Sequence, residues 1–78
     1  MNITVRYFAN MRDRMGRAEE TISIEGESVT VEDLWSKVSS QQILPGNLLI
    51  AVNMEYTDSS RVLKNGDEVA FFPPVTGG

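Results

Sequence analysis

Only one segment of this chain has the length and period of a helix able to cover a sheet. Val31, Leu34, Trp35 and Val38 recur at helical spacing and form one apolar stripe, which predicts a helix over roughly 31–40. Thr30 stands three residues before Asp33, a capping-box spacing with Asp in the usual Glu or Gln place. Such a cap stabilises a helix start by about 1 kcal/mol. As a member of the stripe, Trp35 reads as core rather than as a binding residue.

The rest of the chain supplies the surface that this stripe needs. Residues 2–8 alternate, with Ile3, Val5 and Tyr7 on one face and Thr4, Arg6 and Phe8 on the other, the period of a half-buried strand. Ala9 to Met15 are mostly good helix formers, and Gly16 follows where a left-handed residue would close a short helix. Ile22 and Ile24 alternate with Thr21, Ser23 and Glu25 as a second strand, and Gly26-Glu27-Ser28 breaks the pattern. Pro45-Gly46-Asn47 signals a turn before Leu48-Leu49-Ile50-Ala51-Val52, an apolar run that suits a strand buried on both faces or nearly so. Tyr56 to Val62 is expected to hold a short strand or turn. Asn65-Gly66 is a turn signal from which Glu68 to Phe72 leave as the final strand.

Strand, strand, helix, strand, short strand, strand is the order of an α+β, β-grasp (ubiquitin-like) domain: a mixed sheet of about five strands with one main helix on one face. The other face is left for partners. On the last strand Phe72 shares that side with Glu68 and Ala70, and on the first strand Phe8 shares it with Thr4 and Arg6. Aromatics on otherwise polar faces suggest an exposed apolar contact patch.

Composition narrows the chemistry. Seventy-eight residues suffice for one compact core, placed at residues 1–72, with 73–78 as an extended, flexible C-terminal Gly-Gly tail. No run approaches a membrane span and no signal-peptide pattern opens the chain, so a cytoplasmic location is expected. The chain contains neither Cys nor His. It therefore has no thiolate nucleophile, no disulfide and no imidazole for proton transfer or metal ligation, and no metal or cofactor site is expected. A net charge of −4 argues against nucleic acid as a partner. Arg12, Arg14 and Arg17 are interleaved with Asp13, Glu19 and Glu20, as on a solvated face, and Lys37 and Lys64 read as surface.

The tail carries the remaining chemistry. Pro73 and Pro74 cannot donate to a ladder and favour extended backbone, so the chain is directed off the domain. Six residues from Pro73 to Gly78 can reach about 20 Å. Gly77 and Gly78 add no side-chain bulk, so the backbone can thread a narrow channel and present a terminal carboxylate.

The segment from Gly66 to Gly78, Gly-Asp-Glu-Val-Ala-Phe-Phe-Pro-Pro-Val-Thr-Gly-Gly, resembles the C-terminus of the small subunit of molybdopterin synthase (molybdopterin-converting factor subunit 1), a family of β-grasp sulfur carriers. Ala9, Arg12, Asp13 and Gly16 fit that family's Ala-x-x-Arg-Glu-x-x-Gly pattern with Asp for Glu, and Ala51-Val52-Asn53 fits its third strand. The resemblance runs end to end, apart from residues 36–47. It implies a non-catalytic, sulfur-carrying subunit of a sulfurtransferase. An adenylating (E1-like) activating enzyme would use ATP to make an acyl-adenylate at Gly78, and a sulfur donor would convert it to a thiocarboxylate. Pro73, Pro74, Val75, Thr76 and Gly77 would thread into the large synthase subunit, which supplies the catalytic groups, and sulfur would pass to cyclic pyranopterin monophosphate. Phe8, Tyr56 and Phe72 would contact both partners in turn, and the assembly implied is a heterotetramer.

Three other functions remain open at this point. A related carrier for thiamin or tRNA thiolation would share the fold and the terminal Gly-Gly. A ubiquitin-like protein modifier would join the same carboxylate to lysines. A plain interaction module would carry a disordered tail with no chemistry.

Overall fold

A computed structural model describes residues 1–39 and 48–73, the side chains of Asn10 and Arg14 apart. The elements run β1 (Asn2–Tyr7), α1 (Asn10–Met15), β2 (Glu19–Ser23), α2 (Val31–Val38), β3 (Leu49–Val52), β4 (Glu55–Thr57) and β5 (Glu68–Phe72). The five strands form one mixed sheet in the order β2-β1-β5-β3-β4. Only β1 and β5 pair in parallel; the other neighbours are antiparallel. The expected α+β, β-grasp (ubiquitin-like) architecture is the one observed, and among the described residues no helix is long and apolar enough to cross a membrane.

Each element follows from its residues. Ile3, Val5 and Tyr7 are buried on one side of β1, as the alternation requires. α1 closes on Gly16, whose φ of 74° is left-handed and whose N–H donates to the Arg12 carbonyl, the arrangement that glycine adopts without strain. The capping box at α2 is complete: the Thr30 hydroxyl accepts from the Asp33 N–H, and the Asp33 carboxylate accepts from the Thr30 N–H. All four residues of the stripe, Val31, Leu34, Trp35 and Val38, are buried. They close over Ile3, Val5, Ile50, Val52, Val69 and Phe71 in one hydrophobic cluster. Trp35 meets Phe71 edge-on at 5.0 Å between ring centroids, an orientation that suits the aromatic quadrupoles.

Element boundaries differ from expectation in small ways. β1 stops at Tyr7 rather than residue 8, because Ala9 takes a positive φ of 52° that turns the chain into α1. The ladder still reaches one bond further, the Phe8 N–H donating to the Phe71 carbonyl at 3.2 Å. β2 begins at Glu19, two residues before the alternation, because Arg6 pairs with Glu19 across the ladder. α2 ends at Val38 with Ser39 as its cap, and residue 40 lies outside the described residues, as does the Pro45-Gly46-Asn47 turn. The run at 48–52 yields a strand from Leu49, which is 36% exposed while Ile50, Ala51 and Val52 are buried. The mixed segment from Tyr56 resolves into the short edge strand β4.

Candidate functional site

The sheet face opposite α2 is where the sequence placed its aromatic contacts, and the strand register builds a site there. Tyr7 pairs with Phe71 in the parallel β1–β5 ladder, so the next residues along, Phe8 and Phe72, emerge side by side on the open face. Their rings stack at 4.6 Å between centroids with 9° between planes. Tyr56, from β4, approaches Phe72 at 6.2 Å and a tilt of 53°. The three residues singled out from the sequence thus come from three different strands or strand ends and share one surface. Phe8 is 38% exposed and Tyr56 74% exposed.

A hollow of about 290 Å³ lies among them. One cross-strand row explains it. Arg6 is paired with Ala70, Ala70 with Ala51 and Ala51 with Tyr56, so two consecutive alanines form a low floor between larger side chains. Phe8, Phe72, Tyr56 and Met54 form the apolar wall, and Arg6 and Glu68 the charged rim. Leu49, opposite Phe72 in the β3–β5 register, extends the apolar surface. Ala51, Ala70, Leu49 and Met54 were not among the contact residues named from the sequence. Their signal lay in register, which sets strands side by side, rather than in the alternation of any one strand.

The rim is electrostatically balanced. Arg6 lies 3.8 Å from both Glu19 and Glu68, half-exposed pairs that contribute little to stability but fix where positive charge stands beside the apolar hollow. Asn53, at the β3–β4 turn, ties the far side together. Its backbone N–H donates to the Glu68 carbonyl, its side-chain oxygen accepts from the Glu68 N–H at 3.0 Å, and its amide nitrogen donates to Asp67 at 2.9 Å.

Behind the face, Tyr7 anchors the strand that carries Phe8. Its hydroxyl donates to the Glu20 carboxylate at 2.6 Å, and the Arg17 guanidinium holds the same oxygen at 2.7 Å. Burial pushes the Tyr7 phenol well above its usual range, the hydrogen bond to Glu20 and its charge add to this, and Arg17 opposes it in part. Of the motif at the start of the chain, Ala9 makes the turn after Phe8, Gly16 caps α1, and Arg12 lines a second groove with Arg6, Tyr7, Phe8 and Glu19.

Pro73 follows Phe72 directly and is half-buried. The other sequence-predicted tail residues, Pro74, Val75, Thr76, Gly77 and Gly78, lie outside the described residues. What the structure fixes is their point of departure, the end of β5 beside the Phe8–Phe72 stack.

Comparison with known proteins bears on this arrangement. The family model described as ThiS family matches residues 5–78. A protein from Escherichia coli (strain K12) named molybdopterin synthase sulfur carrier subunit is 38% identical over 82 residues, covering 97% of this chain and 99% of that protein. Among solved structures, a Pyrococcus furiosus protein assigned to molybdopterin converting factor, subunit 1, superposes with a TM-score of 0.80 at 31% identity, covering 96% of this chain and 99% of its own. A chain from the protein–protein complex of subunits 1 and 2 of the molybdopterin-converting factor from Helicobacter pylori 26695 superposes with a TM-score of 0.67 at 26% identity, with both chains fully covered. With that family model matching residues 5–78, the chain belongs to the ThiS family.

Proposed function

We propose that this chain is the sulfur carrier subunit of a molybdopterin synthase, bearing sulfur on Gly78 and delivering it to cyclic pyranopterin monophosphate in molybdenum cofactor biosynthesis. The observation that carries the proposal is end-to-end similarity to a protein of that name, joined to an aromatic face at the end of β5. A carboxylate is a poor acyl donor. On an adenylating (E1-like) partner its oxygen attacks the α-phosphate of ATP, pyrophosphate leaves, and an acyl-adenylate forms at Gly78. Hydrosulfide then attacks the acyl carbon and AMP leaves, giving the thiocarboxylate on loss of the sulfur-bound proton. Sulfur is thereby carried on backbone, which suits a chain with neither Cys nor His. ATP belongs to the partner, and this chain itself binds no cofactor.

Phe8, Phe72 and Tyr56 dock first on the activating enzyme and then on the large subunit, which supplies the catalytic groups. Docking through residues at the root of the tail confines Gly78 to a small volume near the partner's cleft, raising its effective concentration there. Pro73, Pro74, Val75, Thr76 and Gly77 span the distance to that cleft, and two large and two small subunits make the assembly. The setting is the cytoplasm. A large-subunit partner is supported by the similarity to a chain solved in complex with subunit 2.

Intact-mass measurement after incubation with ATP, the adenylating partner and a sulfur source tests the reading. The expected product has one oxygen of the Gly78 carboxylate exchanged for sulfur. A mass left unchanged by that mixture, with the partner shown to be active, would overturn it. Recovery of Gly78 joined to lysines of other proteins would instead favour a protein modifier, and rescue of thiamin auxotrophy without molybdoenzyme activity a thiamin carrier.

A further inference from the structure

The β3–β4 hairpin turns on two residues, Asn53 and Met54, with φ of 51° and 69°. Two-residue loops with both central residues at positive φ are type I′ turns, whose second position favours glycine. Asn53 is suited to its place, since short polar side chains tolerate the left-handed region, and both polar atoms of its side chain are engaged, with Asp67 and Glu68. Met54 has no such reason to be there. A long L side chain in this conformation is strained relative to glycine, and at 90% exposure it is not held by packing within the chain. Its side chain borders the hollow beside Phe8, Tyr56 and Phe72. Neither the turn nor the core of the described residues accounts for a methionine at this position.

We propose that Met54 is a further docking residue of the aromatic face, one that seats against the large subunit, and that its thioether is the point at which peroxide weakens that docking. This rests on the docking reading given above. The four methionines of the chain differ sharply in access: Met11 is 1% exposed, Met1 and Met15 are packed against the core cluster, and Met54 stands open. Methionine suits an adaptable contact because its unbranched, polarisable side chain fills irregular gaps. Peroxide changes that property. The thioether sulfur attacks one peroxide oxygen, the O–O bond breaks, a sulfoxide forms and water leaves; sulfur is oxidised by two electrons and the peroxide is reduced by two. The new polar group would have to be buried in an apolar contact without a partner, which is unfavourable, while the fold is untouched because the side chain is solvent-exposed.

The test uses the full chain, the large subunit and hydrogen peroxide. Peptide mapping after graded oxidation is expected to find sulfoxide at Met54 before Met1, Met11 or Met15; equal rates at Met54 and Met15 would overturn the assignment of the sensitive group. Calorimetric titration is expected to show binding to the large subunit weakened about tenfold by oxidation and by Met54→Gly. Met54→Leu should bind as the native chain does and lose the response to peroxide. Met54→Gly should also melt at a higher temperature, because glycine fits the turn, so weaker binding cannot be ascribed to a damaged fold. Native affinity in Met54→Gly, with Phe72→Ala weakened, removes Met54 from the interface and leaves the docking face standing. Native affinity in both removes the face itself.

Discussion

Tyr7 shows how one side chain links a strand, a loop and a site. Its hydroxyl is tied to Glu20, which Arg17 also holds, so the loop after α1 is fastened to the strand that ends beside Phe8. The phenol has a raised pKa in the folded chain, so the unfolded chain releases that proton first as pH rises. The stability associated with Tyr7 is therefore fully present below about pH 10, the unfolded value, and declines above it at up to about 1.4 kcal/mol per pH unit. Tyr7→Phe should lose about 1–2 kcal/mol at pH 7 with the hydrogen bond to a charged acceptor and show a shallower alkaline decline in urea unfolding. On the open face the balance is reversed. Phe72→Ala removes a stacked partner of Phe8 and should lower stability by about 1 kcal/mol, but weaken large-subunit binding by about 2 kcal/mol or more in calorimetric titration. The aromatics of this face were readable because Phe8 and Phe72 interrupt polar positions. The alanine floor between them was not, since Ala51 and Ala70 acquire meaning only when the register sets them side by side.

Among the elements, α2 was the most legible because cap, stripe and length agree on the same residues. The capping box makes its start testable: Thr30→Ala should cost about 1 kcal/mol in thermal or chemical unfolding, without altering partner binding, since the cap lies on the opposite side of the sheet from the aromatic face. The strands were legible by period but not at their ends. β1 is cut short by Ala9, whose φ is positive, and β2 is lengthened by a cross-strand partner; both causes are backbone geometry or long-range pairing, and neither leaves a trace in local hydropathy. The short β4 is likewise set by pairing with β3 through the Asn53–Met54 turn, which departs from the Asn-Gly signal that would have announced it.

At the scale of the molecule, the first and last strands lie together inside the sheet, β1 between β2 and β5, and β5 between β1 and β3. Folding therefore waits on the residues of β5. A version cut after Pro73 should keep the native melting transition by circular dichroism, whereas one cut after Asp67 should show none, having lost β5 and the Phe71 contact to Trp35. The amides of β1 and β5 should exchange slowest with deuterium. The placement of β5 also decides how the domain bears load. If a partner grips the residues beyond Pro73 and draws them away, the tension runs along β5, and its bonds to β1 on one side and β3 on the other are strained together in shear. An edge strand would peel open one bond at a time. The tail is rooted in the strand best able to be pulled without unravelling the domain.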